Sequence, residues 1–138
     1  MIKIIGIDHL VLRTQQLEKM TFFYCDVLGC TIERETATDI GLTQLRAGNA
    51  LIDLVTVDSQ LGKLGGGPPS RGSNNLDHFC LQIKTISPEA LSKHLTDYDI
   101  NLTDFSLRYG AQGFGDSLYI EDPDGNVVEL KCQILNDS

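Results

Sequence analysis

The hexamer "IDHLVL" at residues 7–12 returns as "LDHFCL" at residues 76–81, an offset of 69 residues in a chain of 138. A segment that recurs at half the chain length restricts the fold more than any composition does. It implies two copies of one unit, with equivalent residues at equivalent points. The order of the flanking elements tests that reading.

Residues 4–12, "IIGIDHLVL", are apolar and β-branched and suit a buried strand. In the next segment Leu17, Met20, Tyr24, Val27 and Leu28 share one helical face. Thr14 is placed to cap its start and Gly29 to stop it. Strand candidates follow at "TIERET", "LTQLRA" and "NALIDLVTV", so the first half reads β-α-β-β-β. The second half opens with the strand "NLDHFCLQIK". A helix follows in "SPEALSKHLTDY", with Ser87 as N-cap and Pro88 in the first turn. Strands are expected at 101–107, 116–121 and 126–131, the last two joined by the type I turn "DPDG" at 122–125. The second half is again β-α-β-β-β. Residues 58–74, rich in Gly, Pro and Ser, form the linker. The domain is therefore a single unit over 1–138 with modules at about 4–57 and 75–133.

The ends of the halves also correspond. "GNALIDLV" and "GNVVELK" are each Gly-Asn followed by an apolar strand carrying one acid, Asp53 or Glu129. Each module thus supplies one His early and one carboxylate late, in strands that read as buried. An unpaired buried charge is costly. Convergence of His9, His78, Asp53 and Glu129 on one cation explains all four residues together. Imidazole and carboxylate donors suit Zn, Ni, Mn or Fe(II). Asp8 and Asp77 alternate away from the His face and are expected to serve local hydrogen bonding or surface charge.

The net charge of −8 disfavours a nucleic-acid partner. No run approaches a membrane span, and the N-terminal apolar stretch is broken early by Asp8 and His9, so a cytoplasmic protein is expected. Cys25, Cys30, Cys80 and Cys132 form no C-x-x-C pair and are expected to be small buried hydrophobes.

Through "IDHLVLRT", "FFYCDVLG", "LDHFCLQI" and "GDSLYIEDPDGNVVELK" the chain resembles the vicinal oxygen chelate superfamily over about residues 5–132. That superfamily includes glyoxalase I, fosfomycin-resistance thiol transferases, extradiol dioxygenases and bleomycin-resistance proteins. The resemblance implies an α+β fold of two βαβββ modules, forming a cupped, barrel-like mixed sheet with helices outside. It implies one divalent metal ion (Ni, Zn, Mn or Fe) held by His9, His78 and Glu129, with Asp53 as a fourth ligand or a base. It implies a lyase or isomerase of the glyoxalase I kind, in which Glu129 or Asp53 moves a proton. The alternatives are an Fe(II) ring-cleaving dioxygenase, ranked lower because that branch often carries four modules, and a metal-free drug-binding protein. Arg13 matches a glutathione-pairing arginine, but Val57 stands where the partner Asn is expected. Arg108 and Tyr109, in the Gly-rich segment "RYGAQGFGD" read as a long turn, are candidate substrate contacts. The expected partners are a small-molecule substrate and a second copy of the chain in a homodimer.

Overall fold

The computed structural model describes residues 1–133. It comprises two compact units, Met1–Ser70 and Arg71–Ser138, whose boundary falls inside the expected linker. The first holds β1 (His9–Thr14), α1 (Leu17–Phe22), a π-helical turn (Phe23–Val27), β2 (Thr31–Glu35), β3 (Leu42–Ala47) and β4 (Ala50–Thr56). A short 3-10 turn, Gly62–Gly65, lies in the linker. The second holds β5 (Phe79–Ile83), α2 (Pro88–Asp97), β6 (Ser106–Gly110), β7 (Gly113–Glu121) and β8 (Val127–Cys132).

The strand order is β1-β4-β3-β2 in one sheet and β5-β8-β7-β6 in the other. Each sheet pairs its first and last strands parallel and closes with two antiparallel ladders. The second sheet repeats the first with every strand number raised by four, so the half-length repeat is a repeat of topology.

Alternation decides which side chains enter each core. In the first unit Leu12, Leu45, Ile52 and Leu54 are buried on one face of the sheet. Met20, Phe23, Tyr24 and Val27 are buried on the helical segment, which packs on β4. Thr14 Oγ1 accepts the Gln16 amide ahead of the helix, and Gly29, at φ +84°, leaves it in the left-handed region. In the second unit Leu118, Ile120, Val128 and Leu130 are buried, as are Leu91 and Leu95 of α2. Ser87 Oγ accepts the Ala90 amide and caps α2.

Four segments depart from the sequence expectation. The strand expected over "NLDHFCLQIK" begins only at Phe79, so His78 stands just ahead of it. The first strand begins at His9, not Ile4, and Ile4, Ile5 and Ile7 are exposed. Its partner β4 starts at Ala50, directly after a tight turn, so no backbone is left for residues 1–7 to pair with. The strand expected at 101–107 runs from Ser106 to Gly110. Residues before it are tied down by Thr103, whose amide donates to the Tyr119 carbonyl and whose Oγ1 accepts the Tyr119 amide. Finally, "RYGAQGFGD" is a hairpin and not a long turn. Gly110 pairs with Gly113 across a two-residue connection, and Gly113 takes φ +88°.

Candidate metal centre

The two His–acid pairs occupy the same place in their sheets. The residue two past His9 is Val11, which is the ladder partner of Asp53. The residue two past His78 is Cys80, which is the ladder partner of Glu129. On the far side Asp53 faces Gln44 and Glu129 faces Tyr119. Because register partners point to the same side, Val11–Asp53–Gln44 and Cys80–Glu129–Tyr119 are equivalent rows. They lie on the sheet face opposite the apolar core.

In the first unit Asp53 is 3% exposed, and Gln44 Nε2 donates to both its carboxylate oxygens at 3.3 and 3.2 Å. His9 is about half exposed, with Nδ1 2.6 Å from Oδ1 of Asp8. A carboxylate only accepts, so Nδ1 carries the proton and Nε2 keeps its lone pair outward. The Asp8 hydrogen bond raises the His9 pKa above its ordinary value. The charge of Asp53 adds to that rise, and partial desolvation opposes it.

In the second unit Nδ1 of His78 lies 2.7 Å from Oδ2 of Asp77, which fixes the same tautomer. Its Nε2 lies 3.2 Å from Oε1 of the buried Glu129. The His78 ring meets the Tyr119 ring edge-on at 5.2 Å. The Arg108 guanidinium sits 4.5 Å over the other part of this cluster, the Tyr119 ring, while its Nη1 donates to the Ser117 carbonyl and Oγ.

This geometry fits metal ligation. Two donors each about 2.1 Å from one ion, at tetrahedral to octahedral angles, stand roughly 3.0–3.4 Å apart, and the His78–Glu129 gap falls in that interval. A His that ligates through one nitrogen and donates its other N–H to a carboxylate is the usual arrangement at metal sites. Each unit supplies one His whose Nδ1 is held by the preceding Asp, and one buried acid. Among the described residues no group of three or more His, Cys, Asp or Glu stands in ligating arrangement. Asp8 and Asp77, which the sequence places off the His face, do serve local hydrogen bonding, and the partner is the adjacent imidazole.

The other candidates are placed as follows. Arg13 donates to the carbonyls of Gly62, Gly66 and Gly67 and closes the linker into a loop. Tyr109 is exposed near the tip of the β6–β7 hairpin and packs edge-on against Phe114. The cysteines are all free thiols; Cys30 and Cys132 are buried, but Cys80 is exposed, because it follows the face of His78 and not the core face. Partial burial, with the charge of Glu129 added, pushes the Cys80 thiol up to about 11.

Gln44 and Tyr119 were not among the residues singled out from sequence. The "DPDG" turn could have found Tyr119, since it sets Glu121 opposite Val127 and so brings Tyr119 opposite Glu129.

The sequence pattern of the Glyoxalase/Bleomycin resistance protein/Dioxygenase superfamily matches residues 6–130. Biphenyl-2,3-diol 1,2-dioxygenase 3 of Rhodococcus globerulus is 33% identical over 132 residues, which cover 89% of this chain and 60% of that relative. The chain thus spans about three fifths of the length of the curated relative it matches. An integron cassette protein from the mobile metagenome of V. cholerae has the same fold, with a TM-score of 0.71 and 28% identity over 96% of this chain and 98% of that one. A virulence protein of Salmonella typhimurium matches with a TM-score of 0.72 and 25% identity, over 96% of this chain and 100% of that one.

Proposed function

The chain belongs to the Glyoxalase/Bleomycin resistance protein/Dioxygenase superfamily, and from that premise we propose that it is a metal-dependent enzyme. Its substrate is a small molecule that offers two adjacent oxygens to one divalent ion. The observation that carries this reading is the His78 Nε2 to Glu129 Oε1 approach of 3.2 Å, with Nδ1 held by Asp77. The first unit carries the equivalent residues Asp8, His9 and Asp53.

His9, His78 and Glu129 are the ligands. A divalent ion bound there supplies Lewis acidity to adjacent substrate oxygens. Asp53 is buried and receives one amide donor, Gln44, which steadies the carboxylate without neutralising it. In the lyase or isomerase reading Asp53 takes a proton from carbon beside the carbonyl and returns it to the neighbouring carbon. Tyr119, against His78 and under Arg108, forms an aromatic wall for the substrate. The chain acts as a homodimer, which light scattering tests.

A second reading is ring cleavage of a vicinal diol, and the identity to a biphenyl-diol dioxygenase favours it. The sequence argument that such enzymes often carry four modules weighs less against this chain. The matched 89% of the chain makes up 60% of that relative, so the relative is well short of two chain lengths. Two His and one carboxylate are the donor set of non-haem Fe(II) oxygenases.

The test is metal content of chain purified without added metal or a nickel column, beside His78→Ala and Asp53→Asn. About one ion per chain, lost in His78→Ala, supports the proposal. Asp53→Asn then separates the readings: it abolishes proton transfer on a dicarbonyl–thiol adduct and leaves catechol cleavage standing. Absence of metal, with no thermal shift on adding nickel, zinc, manganese or iron, overturns both and leaves a binding protein.

A further inference from the structure

Cys25 and Cys30 stand at the exit of the first helical segment, and the fold closes the distance between them. Cys25 lies in the π-helical turn Phe23–Val27, whose C-cap is Leu28. Gly29, at φ +84°, reverses the chain, and its amide donates to the Cys25 carbonyl at 3.0 Å. The Cys30 amide then donates to the Tyr24 carbonyl at 2.8 Å. That oxygen is about 2.8 Å from Cα of Cys25 across the peptide bond, and the Cys30 N–H points at it. The two Cα atoms are therefore at most about 6.5 Å apart, inside the ~4.4–6.8 Å that a disulfide spans. Residues at these two positions of a helix C-terminus commonly bring their side chains together. The thiols also sense one another: burial pushes the Cys30 thiol up to about 11, and the charge of Cys25 adds to the rise. Both are free thiols; Cys30 is buried and Cys25 half-buried, so an external reagent meets Cys25 first.

We infer that Cys25 and Cys30 join in an intramolecular disulfide by exchange with a small organic disulfide, which makes the helix exit a site of reversible oxidative modification. Cys25 gives up its proton and its sulfur attacks the reagent. A Cys25–reagent S–S bond forms, the reagent's own S–S bond breaks, and one half leaves as a thiol with that proton. Cys30 then gives up its proton and attacks the Cys25 sulfur. The protein S–S bond forms, and the second half leaves as a thiol. Two protein thiols are oxidised and one disulfide is reduced to two thiols, with protons balanced. Burial, and then the charge of Asp26, raises the Cys25 thiol as well, so the exchange is slow at neutral pH. What the fold supplies is proximity, which favours the linked form at equilibrium. Neither cysteine belongs to the metal centre, so the modification is independent of metal and substrate.

The full-length chain as purified is equilibrated at mildly alkaline pH with bis(hydroxyethyl) disulfide and its thiol, quenched with acid, and mapped by peptide mass spectrometry with and without reductant. With the free thiol at about 0.1 mM, the Cys25–Cys30 linked form should exceed the Cys25 mixed disulfide about tenfold or more, as an effective concentration in the millimolar range requires. In Cys30→Ser the mixed disulfide at Cys25 should persist, because nothing resolves it. In urea the ratio of linked to mixed form should fall at least severalfold, because the hydrogen bonds that hold Cys30 on Tyr24 are lost. The inference is overturned by a native parent in which the mixed disulfide predominates, by one in which neither cysteine is modified, or by a ratio in urea that equals or exceeds the native one. The parent in native buffer and in urea decides the matter alone if the variant does not accumulate.

Discussion

His78 directs Nε2 at Oε1 of Glu129 across 3.2 Å. His78 immediately precedes β5, Glu129 lies on β8, and the parallel pairing of those strands brings the start of the module beside its end. The same crossover joins β1 to β4 and puts His9 on the face of Asp53. The long βαβββ connection thus gathers residues that are some fifty positions apart in sequence.

Asp77 is a positioning residue for His78. Asp77→Asn keeps the size and removes the charge that holds Nδ1–H. Its expected effect is a loss of about 10–100-fold in metal affinity, read by competition with a chromophoric chelator. An unchanged affinity would leave Asp77 a surface charge.

Asp8 favours the imidazolium form of His9, and this has a definite sign. The imidazolium is favoured by the carboxylate, so the His9 pKa stands above its ordinary value. Asp8→Asn should lower it, and a proton NMR titration of the His9 ring reads the shift. Protons compete with metal at Nε2, so the parent should lose metal at a higher pH on acidification than a protein whose His9 titrates normally.

Cys80 should react slowly despite its exposure. With its thiol at about 11 instead of the usual 9, the thiolate fraction at pH 8 falls by about a hundredfold. Iodoacetamide labelling resolved by peptide mass spectrometry measures this. Labelling of Cys80 at the rate of an unhindered thiol would contradict the shift.

Leu95 is fully buried on α2, and Leu95→Ala should cost about 2–5 kcal/mol in urea unfolding. Ser87→Ala removes the cap of the same helix and should cost about 0.5–2 kcal/mol. A neutral Leu95→Ala would mean that α2 contributes little to its unit.

Arg13 ties down the linker through three carbonyls, and a Cβ at Gly65 would fall 2.2 Å from its Nε. Arg13→Ala should free residues 62–67 and raise their cleavage by a broad-specificity protease at least severalfold. The matched control is Lys63→Ala, which leaves these hydrogen bonds in place.

The sequence by itself determined the repeat, the βαβββ order, the Ser87 cap of the second helix and the four His and acid candidates; the cap expected from Thr14 is not formed, because its hydroxyl takes the amide of Gln16, the residue that precedes the helix. These depend on apolar periodicity, turn residues and caps, which act within a few positions. Tertiary structure decided what depends on register. Residues 4–7 read as strand, yet only the start of β4 at Ala50 decides that they have no partner. Asp8 and Asp77 alternate away from the site on an ideal strand, but each precedes the ladder and is free to turn back to its neighbouring imidazole. Gln44 stands beside Asp53 in the first unit, and Tyr119 beside Glu129 in the second, because cross-strand pairing sets them there. A chain read one residue at a time holds the period of a strand. It does not hold the identity of the residue across the ladder, because that is settled when the backbone hydrogen bonds form.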